Sequence, residues 1–290
     1  MILITGATGF VGRNLIESLP KENIRCLVRD SSKSDFLKEH SIQLVYGDLT
    51  DKKSLDSALK NIDTVMHLAA YVRGNDSSLF YKINVDGTKN LIDACKKNKV
   101  KRIIALSSMA VTRKYLDDYG KSKKQAEELI RNSDLDYTIL RPSMIYGKDS
   151  NSTKHLVSYI KMIPLIIPIV GNGNFNIQPV YINDVTSIII KCLDNKTSIK
   201  KTYDLLGETR INFNYFIDFV SSHLNIKKIK LHIPVSLVLI GITFLKSFYK
   251  NFPITEEFIK GMGYDTIGDN SKVKQDLNIK FKKLSQSFKI

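Results

Sequence analysis

A glycine-rich turn near the start of the chain constrains its fold more than any other feature. Gly6, Gly9 and Gly12 are spaced three residues apart. They follow an apolar run at 2–4 that predicts a strand, and they open residues 10–19, whose apolar spacing predicts a helix. Gly6 permits a sharp turn, Gly9 has no Cβ to obstruct a diphosphate, and Gly12 lets the helix approach the sheet. The first N–H groups of the helix then face the anion, so the sequence predicts a turn that binds a dinucleotide pyrophosphate.

Apolar, strand-like runs recur along the chain with helical segments between them. This alternation predicts an α/β fold with a doubly wound, Rossmann-like parallel sheet. The strands are expected at 24–28, 42–46, 64–68, 102–106 and 137–140, and the helices near 52–60, 77–98 and 118–132.

The pattern of residues changes after Arg141 and Pro142, where Gly and Pro residues indicate loops. A helix at 184–193 and a strand at 202–206 are expected to follow. The remainder is rich in Lys, Ile and Phe and predicts a smaller, mostly helical substrate lobe. The expected bounds are 1–142 with about 176–206 for the dinucleotide-binding domain, and about 143–175 with 207–290 for the substrate lobe.

The formal net charge is +15, but the lysines are scattered without an Arg cluster or an aromatic and basic stripe. We therefore expect no nucleic-acid partner, and a lysine-rich surface that also suits anionic small substrates. Cys26, Cys95 and Cys192 are odd in number and unpatterned, each in an apolar run, which predicts reduced thiols and a cytoplasmic protein. We expect no signal peptide, because the predicted first strand begins at residue 2. No metal site is predicted.

The apolar run 233–245 is too short to span a bilayer, which requires about 20 residues. It predicts a buried helix, with contact to a membrane surface as the alternative. On this basis we expect no membrane partner.

Tyr119 and Lys123 lie four positions apart on a predicted helix, so their polar ends share one face. A neighbouring ammonium stabilises a phenolate, so we expect Lys123 to lower the pKa of Tyr119 and let it act as a general acid or base. Such a pair also arises by chance in a lysine-rich helix, but the upstream glycine turn favours the catalytic interpretation. Together the two features indicate nicotinamide redox chemistry.

Ser107 and Ser108 follow a predicted central strand. Open α/β sheets place their ligands at the carboxyl ends of such strands, and a hydroxyl there can hold a substrate oxygen. The alternative is a serine pair that satisfies backbone groups where the strand meets a loop.

The chain resembles the extended short-chain dehydrogenase/reductases, the NAD-dependent epimerase/dehydratase group, over nearly its whole length. The resemblance rests on eight segments in family order, at 5–12, 47–49, 67–70, 84–88, 107–108, 119–123, 141–147 and 178–185. It implies a catalytic trio of Ser108, Tyr119 and Lys123, and a homodimer through the helices near 77–98 and 118–132. The residues expected to hold the cofactor are Gly6, Thr8, Gly9, Phe10, Val11, Gly12, Arg29, Asp48, Leu49, Leu68, Ala69, Ala70, Tyr119, Lys123, Pro142 and Met144.

Two of the residues in these segments have a structural alternative. Asp48 is expected to contact the adenine, but it is also typical of a turn or helix start before Thr50 and Asp51. His67 predicts a buried side chain with satisfied hydrogen bonds rather than a ligand.

The end of the second strand bears on the choice of cofactor. Arg29 suits the 2′-phosphate of NADP, whereas an acidic residue at this point, here Asp30, suits the ribose hydroxyl of NAD. Relatives with a similar strand ending often use NADP. We therefore expect NADP(H) in preference to NAD(H), with Asp30 as the argument for NAD.

Met109 and Ala110 follow Ser108 where family dehydratases carry an Asp-Glu pair. Neither side chain can move a proton, so we expect hydride transfer at a secondary alcohol or ketone, as epimerisation or net reduction, rather than elimination. Tyr119 follows Ser108 by only eleven positions, which shortens the loop that usually covers the active site.

The substrate has three candidate interpretations. Residues 171–175 resemble a substrate-side loop of enzymes acting on nucleotide-diphosphate sugars, and a basic surface suits such substrates. The apolar run after 233 and the segments 253–257 and 269–273 resemble those of relatives that act on hydrophobic alcohols such as sterols or flavonols. The short loop before Tyr119 also fits a cofactor-bound, non-catalytic subunit. We expect a nucleotide sugar as the substrate, with the other two as alternatives.

Overall fold

A seven-stranded parallel sheet forms the centre of the protein. The computed structural model describes residues 1–29, 34–40, 42–74, 76–248 and 263–288. The sheet has the strand order β3-β2-β1-β4-β5-β6-β11, and every pairing in it is parallel. Its strands are β1 Ile2–Thr5, β2 Ile24–Val28, β3 Gln43–Tyr46, β4 Thr64–His67, β5 Arg102–Leu106, β6 Asp136–Pro142 and β11 Lys201–Leu205.

Helices cover both faces of this sheet. On one face lie α1 Phe10–Ser18, α2 Asp35–Glu39, α8 Ile182–Asp194 and α11 Ser271–Leu277, and on the other lie α3 Lys52–Ala58, α5 Gly87–Lys97 and α6 Asp118–Arg131. Leu15 and Ile188 are buried on the first face, and Leu55 and Leu91 on the second. Because parallel strands need crossover helices that bury both faces of a sheet, the doubly wound prediction is confirmed.

A π-helical turn lies where one long helix was predicted at 77–98. Helix α4 Ser77–Phe80 continues through the turn Tyr81–Asp86 into α5. The turn brings the buried Asn84 side chain to the backbone of Tyr71, whose N–H it accepts at 2.7 Å and whose carbonyl it contacts at 2.9 Å. Asn84 also donates to the Ser122 hydroxyl at 3.0 Å. The turn thereby ties α6 to the loop after β4.

The three cysteines are buried in the sheet and its helices. Cys26, Cys95 and Cys192 are free thiols, and burial raises the pKa of each to about 12. They behave as small apolar side chains, as the sequence predicts.

A second hydrophobic core, which includes Ile160, Ile167, Phe216 and Val220, lies in what we call the small lobe. Where loops were predicted over 143–175, the lobe contains the helix α7 and the strands β7 and β8. The lobe has three short strand pairs: β7 with β10, β9 with β12, and β8 with β13. Its elements are β7 Ile145–Tyr146, α7 Asn151–Lys161, β8 Ile166–Val170, β9 Asn176–Ile177, β10 Val180–Tyr181, β12 Ile211–Asn212, α9 Phe213–His223, β13 Ile229–Ile233, α10 Val235–Phe248 and α12 Leu284–Ser287.

Helix α10 lies on the surface of the small lobe, so the prediction of a buried helix is wrong. Leu237, Ile240 and Phe244 are 58%, 65% and 64% exposed, and Ile242 is the one buried side chain within 235–244. Apolar composition alone cannot bury a helix when no described element packs against its outer face. None of the helices in the described ranges is long and apolar enough to cross a membrane.

Candidate active site

A cleft of about 1220 Å³ opens at the carboxyl ends of the parallel strands. Segments that follow β1 to β6 all contribute to its wall, which is where open α/β sheets bind ligands. Every residue predicted to hold cofactor or to act in catalysis lines this one cleft: Gly6, Thr8, Gly9, Phe10, Val11, Gly12, Arg29, Asp48, Leu49, Leu68, Ala69, Ala70, Ser108, Tyr119, Lys123, Pro142 and Met144. The structure thus brings the predicted residues together. Asp30 and the segment 253–257 lie outside the described residues.

The glycine turn leaves no space for side chains. Gly6 has a φ of +78°, and a Cβ on it would lie 2.6 Å from the Ala69 nitrogen. A Cβ on Gly12 would lie 2.3 Å from the Gly6 carbonyl oxygen. Gly9 caps α1 without a side chain, and no acidic residue occupies the first turn, so the N–H groups there can meet an anion. The turn therefore fits the diphosphate of a dinucleotide.

The catalytic candidates lie on two neighbouring elements. Tyr119 is in the first turn of α6, which Asp117 caps by accepting the Gly120 N–H at 2.8 Å. Ser108 directly follows β5, and its hydroxyl accepts the Ala110 N–H at 3.1 Å. Lys123 is buried one turn after Tyr119, and its ammonium donates to the Leu106 carbonyl at 2.8 Å. The three side chains therefore meet where β5 ends beside α6.

The predicted fall in the pKa of Tyr119 is not what the structure shows. Burial raises the pKa of Tyr119, although a hydrogen bond with Ser108 opposes that shift. Asp117 and Arg113 are the charged groups that act on the phenol. The Lys123 ammonium, one turn away, is directed at the Leu106 carbonyl. Burial in turn lowers the pKa of Lys123 to about 8, and Glu127 opposes that shift.

Comparison with known proteins agrees with this geometry. A family model described as NAD(P)H-binding matches residues 6–195, which includes the glycine turn and the catalytic candidates. The chain is an extended short-chain dehydrogenase/reductase. It therefore belongs to a nicotinamide-binding family, and the glycine turn fits that cofactor.

Similar extended short-chain dehydrogenase/reductases include two epimerases. The N-acetyl-alpha-D-glucosaminyl-diphospho-ditrans,octacis-undecaprenol 4-epimerase of Escherichia coli O157:H7 is 34% identical over 262 residues, which covers 83% of this chain and 77% of the relative. The UDP-glucose 4-epimerase of Vibrio cholerae is 29% identical, over 70% of this chain and 69% of the relative. The solved structure of gox2253 aligns with a TM-score of 0.81 at 25% identity, over 99% of this chain and 95% of that one.

Glu127 is a buried residue behind the cleft wall that the sequence analysis missed. It lies one turn after Lys123 on α6 and is 2% exposed. The Ser107 hydroxyl donates to its Oε1 at 2.6 Å, and Arg141 donates from Nε at 2.8 Å and from Nη2 at 2.7 Å. Burial opposes the charge of Glu127, but Arg141, Ser107 and Arg131 outweigh it and lower the pKa of Glu127. The carboxylate thereby joins α6 to the ends of β5 and β6.

Arg29 and Asp48 form a pair at the predicted adenine end of the cleft. Arg29 Nη1 lies 3.7 Å from Asp48 Oδ2, and the Arg29 side chain is 69% exposed. Asp48 Oδ1 accepts the Thr50 N–H at 2.8 Å and the Thr50 hydroxyl at 2.7 Å. Burial favours the neutral form of Asp48, but these hydrogen bonds and Arg29 outweigh it and lower the pKa of Asp48. Asp48 is therefore both a turn residue and part of the cleft wall.

His67 is a buried structural residue, as predicted. Thr5 Oγ1 lies 2.8 Å from its Nδ1, and Thr88 Oγ1 lies 3.0 Å from its Nε2. Burial lowers the pKa of His67 to about 3, with a smaller effect of the Lys123 charge. The neutral imidazole thus joins β1 to α5 beneath the site.

Two arginines that the sequence analysis missed also line the cleft. They are Arg73, after β4, and Arg113, after the short 3₁₀ turn that follows Ser108. Arg113 Nε is buried and has no hydrogen-bond partner among the described residues. The nearby carboxylates are engaged already: Asp117 caps α6, and Asp118 accepts the Ser77 hydroxyl at 2.6 Å. This wall can therefore accept an anionic group.

Proposed function

We propose that this protein is an NAD(P)-dependent epimerase that inverts a secondary alcohol carbon of a diphosphate-linked sugar through a transient ketone. The observation that carries the proposal is the single cleft shared by the glycine turn and by Ser108, Tyr119 and Lys123. The names of the two related epimerases support it, because both describe a 4-epimerase. The nicotinamide ring, when bound, supplies the acceptor and donor of the hydride.

In this proposal each polar group of the chain has one task. Tyr119 takes the proton of the substrate hydroxyl and later returns it to the ketone oxygen. Ser108 donates a hydrogen bond to that oxygen and so stabilises the charge that develops there. Lys123 provides a buried positive charge one turn away, which favours the phenolate once the proton has left.

The residues after Ser108 argue against elimination of water. Met109 and Ala110 are both buried, and neither can exchange a proton. An epimerase or a ketone reductase needs no further acid or base beside Tyr119, whereas a dehydratase does.

Positive charge in the cleft supports a substrate that carries a diphosphate group. Arg113 and Arg73 both line the cleft. A guanidinium suits a diphosphate because it donates two parallel hydrogen bonds to the oxygens. The diphosphate carrier is a nucleotide or a lipid, and the assay below distinguishes the two.

We further propose NADP(H) as the preferred cofactor, because the exposed Arg29 side chain lies in the cleft wall where a 2′-phosphate would meet it. A homodimer through α5 and α6 and a cytoplasmic location remain part of the proposal.

The test is turnover with two substrates that carry the same sugar. Purified protein is incubated with UDP-N-acetylglucosamine and with N-acetylglucosamine diphospho-polyprenol, each with NAD⁺ and NADP⁺, and the sugar released by acid is resolved by chromatography. We expect the 4-epimer to form with no net change in the amount of reduced cofactor. Stoichiometric formation of NADH or NADPH, with a ketone product in place of the 4-epimer, would favour the reductase alternative running in reverse. Tight cofactor binding without turnover of either substrate would favour the non-catalytic subunit.

A further inference from the structure

The small lobe exposes a group of large apolar side chains on its outer surface. We call this group the apolar face: Met162, Leu165, Ile229, Leu231, Leu237, Ile240 and Phe244, which are between 48% and 77% exposed. They make up seven of the twelve exposed large hydrophobic residues in the described part of the chain, yet they come from only two segments, 162–165 and 229–244. Single exposed apolar residues are ordinary on a protein surface, whereas a group concentrated in this way indicates an interaction site.

The pairing of β8 with β13 explains why these residues point outward. Ile229 donates its N–H to the Leu165 carbonyl at 3.1 Å, and Leu231 pairs with Pro168 in the parallel register. The intervening Ile167 and Ile169 are buried in the core of the small lobe. Because side chains alternate along a strand, Leu231 and Pro168 must face away from that core.

Helix α10 extends the apolar face from the end of β13. Gly171, just after β8, donates its N–H to the Ile233 carbonyl at 2.8 Å, and α10 begins two residues later at Val235. Leu237, Ile240 and Phe244 are spaced three and four residues apart and therefore lie on one side of the helix. The described helix has 14 residues, or about 21 Å at 1.5 Å per residue, which suits a position along a surface.

Lysines outnumber acidic residues around this face. Residues 150–183 and 219–255, which supply the whole face, contain no Asp or Glu. Lys161 and Lys227 are exposed beside it, and Lys228 holds the loop of Met162 by donating to the Ile160 and Ile163 carbonyls at 2.7 Å and 2.6 Å. Lys230 pairs with Asp218 at 2.6 Å. An apolar surface with a lysine rim complements an anionic lipid surface.

We propose that the apolar face docks onto the surface of an anionic lipid bilayer. The apolar side chains enter the headgroup region, and the rim lysines meet the lipid phosphates. A second copy of the chain is a poorer occupant, because each copy carries a net charge of +15 and the two lysine rims would repel each other. The inference does not depend on the reaction proposed above.

The test is co-sedimentation of the full chain with sucrose-loaded vesicles, either of phosphatidylcholine alone or with added phosphatidylglycerol. We expect binding to the anionic vesicles that weakens as salt is added. The combined substitutions Leu237→Glu, Ile240→Glu and Phe244→Glu should lower the partition coefficient at least about tenfold, because three apolar contacts become charged. Tyr46→Glu is the matched control, since Tyr46 is 52% exposed on β3 at the far edge of the sheet, and it should bind vesicles like the unaltered protein.

Binding of NADPH, followed by its fluorescence, shows that each variant is folded. The proposal would be overturned if the wild-type protein bound neither kind of vesicle. It would also be overturned if the triple variant bound them as well as the wild type does. Concentration-dependent self-association that the triple variant abolishes, without vesicle binding, would assign the face to a second copy instead.

Discussion

The sheet region and the small lobe use apolar and polar residues in opposite ways. Around the sheet, polar side chains are buried and partnered, as Glu127 is by Ser107 and Arg141 and His67 is by Thr5 and Thr88. On the small lobe, large apolar side chains such as Ile240 are exposed. Buried polar networks fix one geometry, which the proposed proton transfer needs, whereas a concentrated group of exposed apolar side chains indicates an interaction surface. The two regions are therefore suited to different partners.

The largest loss of turnover is expected for a substitution at Tyr119, in the sheet region. Tyr119→Phe keeps the ring but removes the proton carrier, so we expect kcat to fall about 10²- to 10⁴-fold. Single-turnover assays with bound cofactor measure the change. Tyr81→Phe is the control, because Tyr81 contacts Asp118 at 3.3 Å but does not line the cleft. Equal losses in the two variants would contradict the role of Tyr119.

Glu127→Ala tests whether the buried network holds the site together. It leaves the Arg141 guanidinium and the Ser107 hydroxyl without their carboxylate, so we expect the free energy of unfolding to fall by about 3 kcal/mol. Urea unfolding measures it. Glu128→Ala, at the exposed neighbouring position, should change stability by less than about 0.5 kcal/mol. If both variants are equally stable, the network does not stabilise the fold.

Gly12 in the sheet region and Gly241 in the small lobe have different surroundings, so the same substitution should affect them differently. A Cβ at Gly12 would lie 2.3 Å from the Gly6 carbonyl oxygen, whereas a Cβ at Gly241 on α10 meets nothing within 4 Å. We expect Gly12→Ala to weaken dinucleotide binding at least about tenfold. Gly241→Ala should instead stabilise the protein by about 0.5–1 kcal/mol, since Ala favours a helix. Fluorescence titration and urea unfolding check the two results, and a tightly binding Gly12→Ala protein would contradict the role of the turn.

Arg29→Ser is expected to weaken binding less than Gly12→Ala does, because the Arg29 side chain is largely exposed. Loss of the guanidinium should weaken NADPH binding about tenfold and leave NADH binding unchanged. Parallel titrations with the two cofactors measure the ratio. An equal change for both would show that Arg29 does not contact the 2′-phosphate.

The sequence predicted the sheet region well because its motifs act locally. The glycine turn, the strand at 24–28 and the pair Tyr119 and Lys123 each depend on neighbours within a few residues. The role of Glu127 could not be predicted from the sequence, because its partners Ser107 and Arg141 belong to other elements. They contact Glu127 only in the folded protein. The spacing of Glu127 four residues after Lys123 was the one available signal.

The small lobe was predicted less well for the same reason. Helix α7 and strand β8 lie in a stretch expected to form loops, and β8 pairs with β13, about 60 residues later in a part expected to be helical. The exposure of α10 depends on which elements pack against it, and hydropathy alone does not contain that information.

The central claim is that inversion proceeds by hydride transfer, and the isotope content of the product tests it most directly. The epimerisation is run in heavy water, and the inverted carbon of the product sugar is examined by NMR. If the hydride leaves for the nicotinamide and returns to the same carbon, that carbon carries no deuterium, which is the result we predict. Deuterium at the inverted carbon would mean that a proton was removed and replaced from solvent, and it would contradict the account.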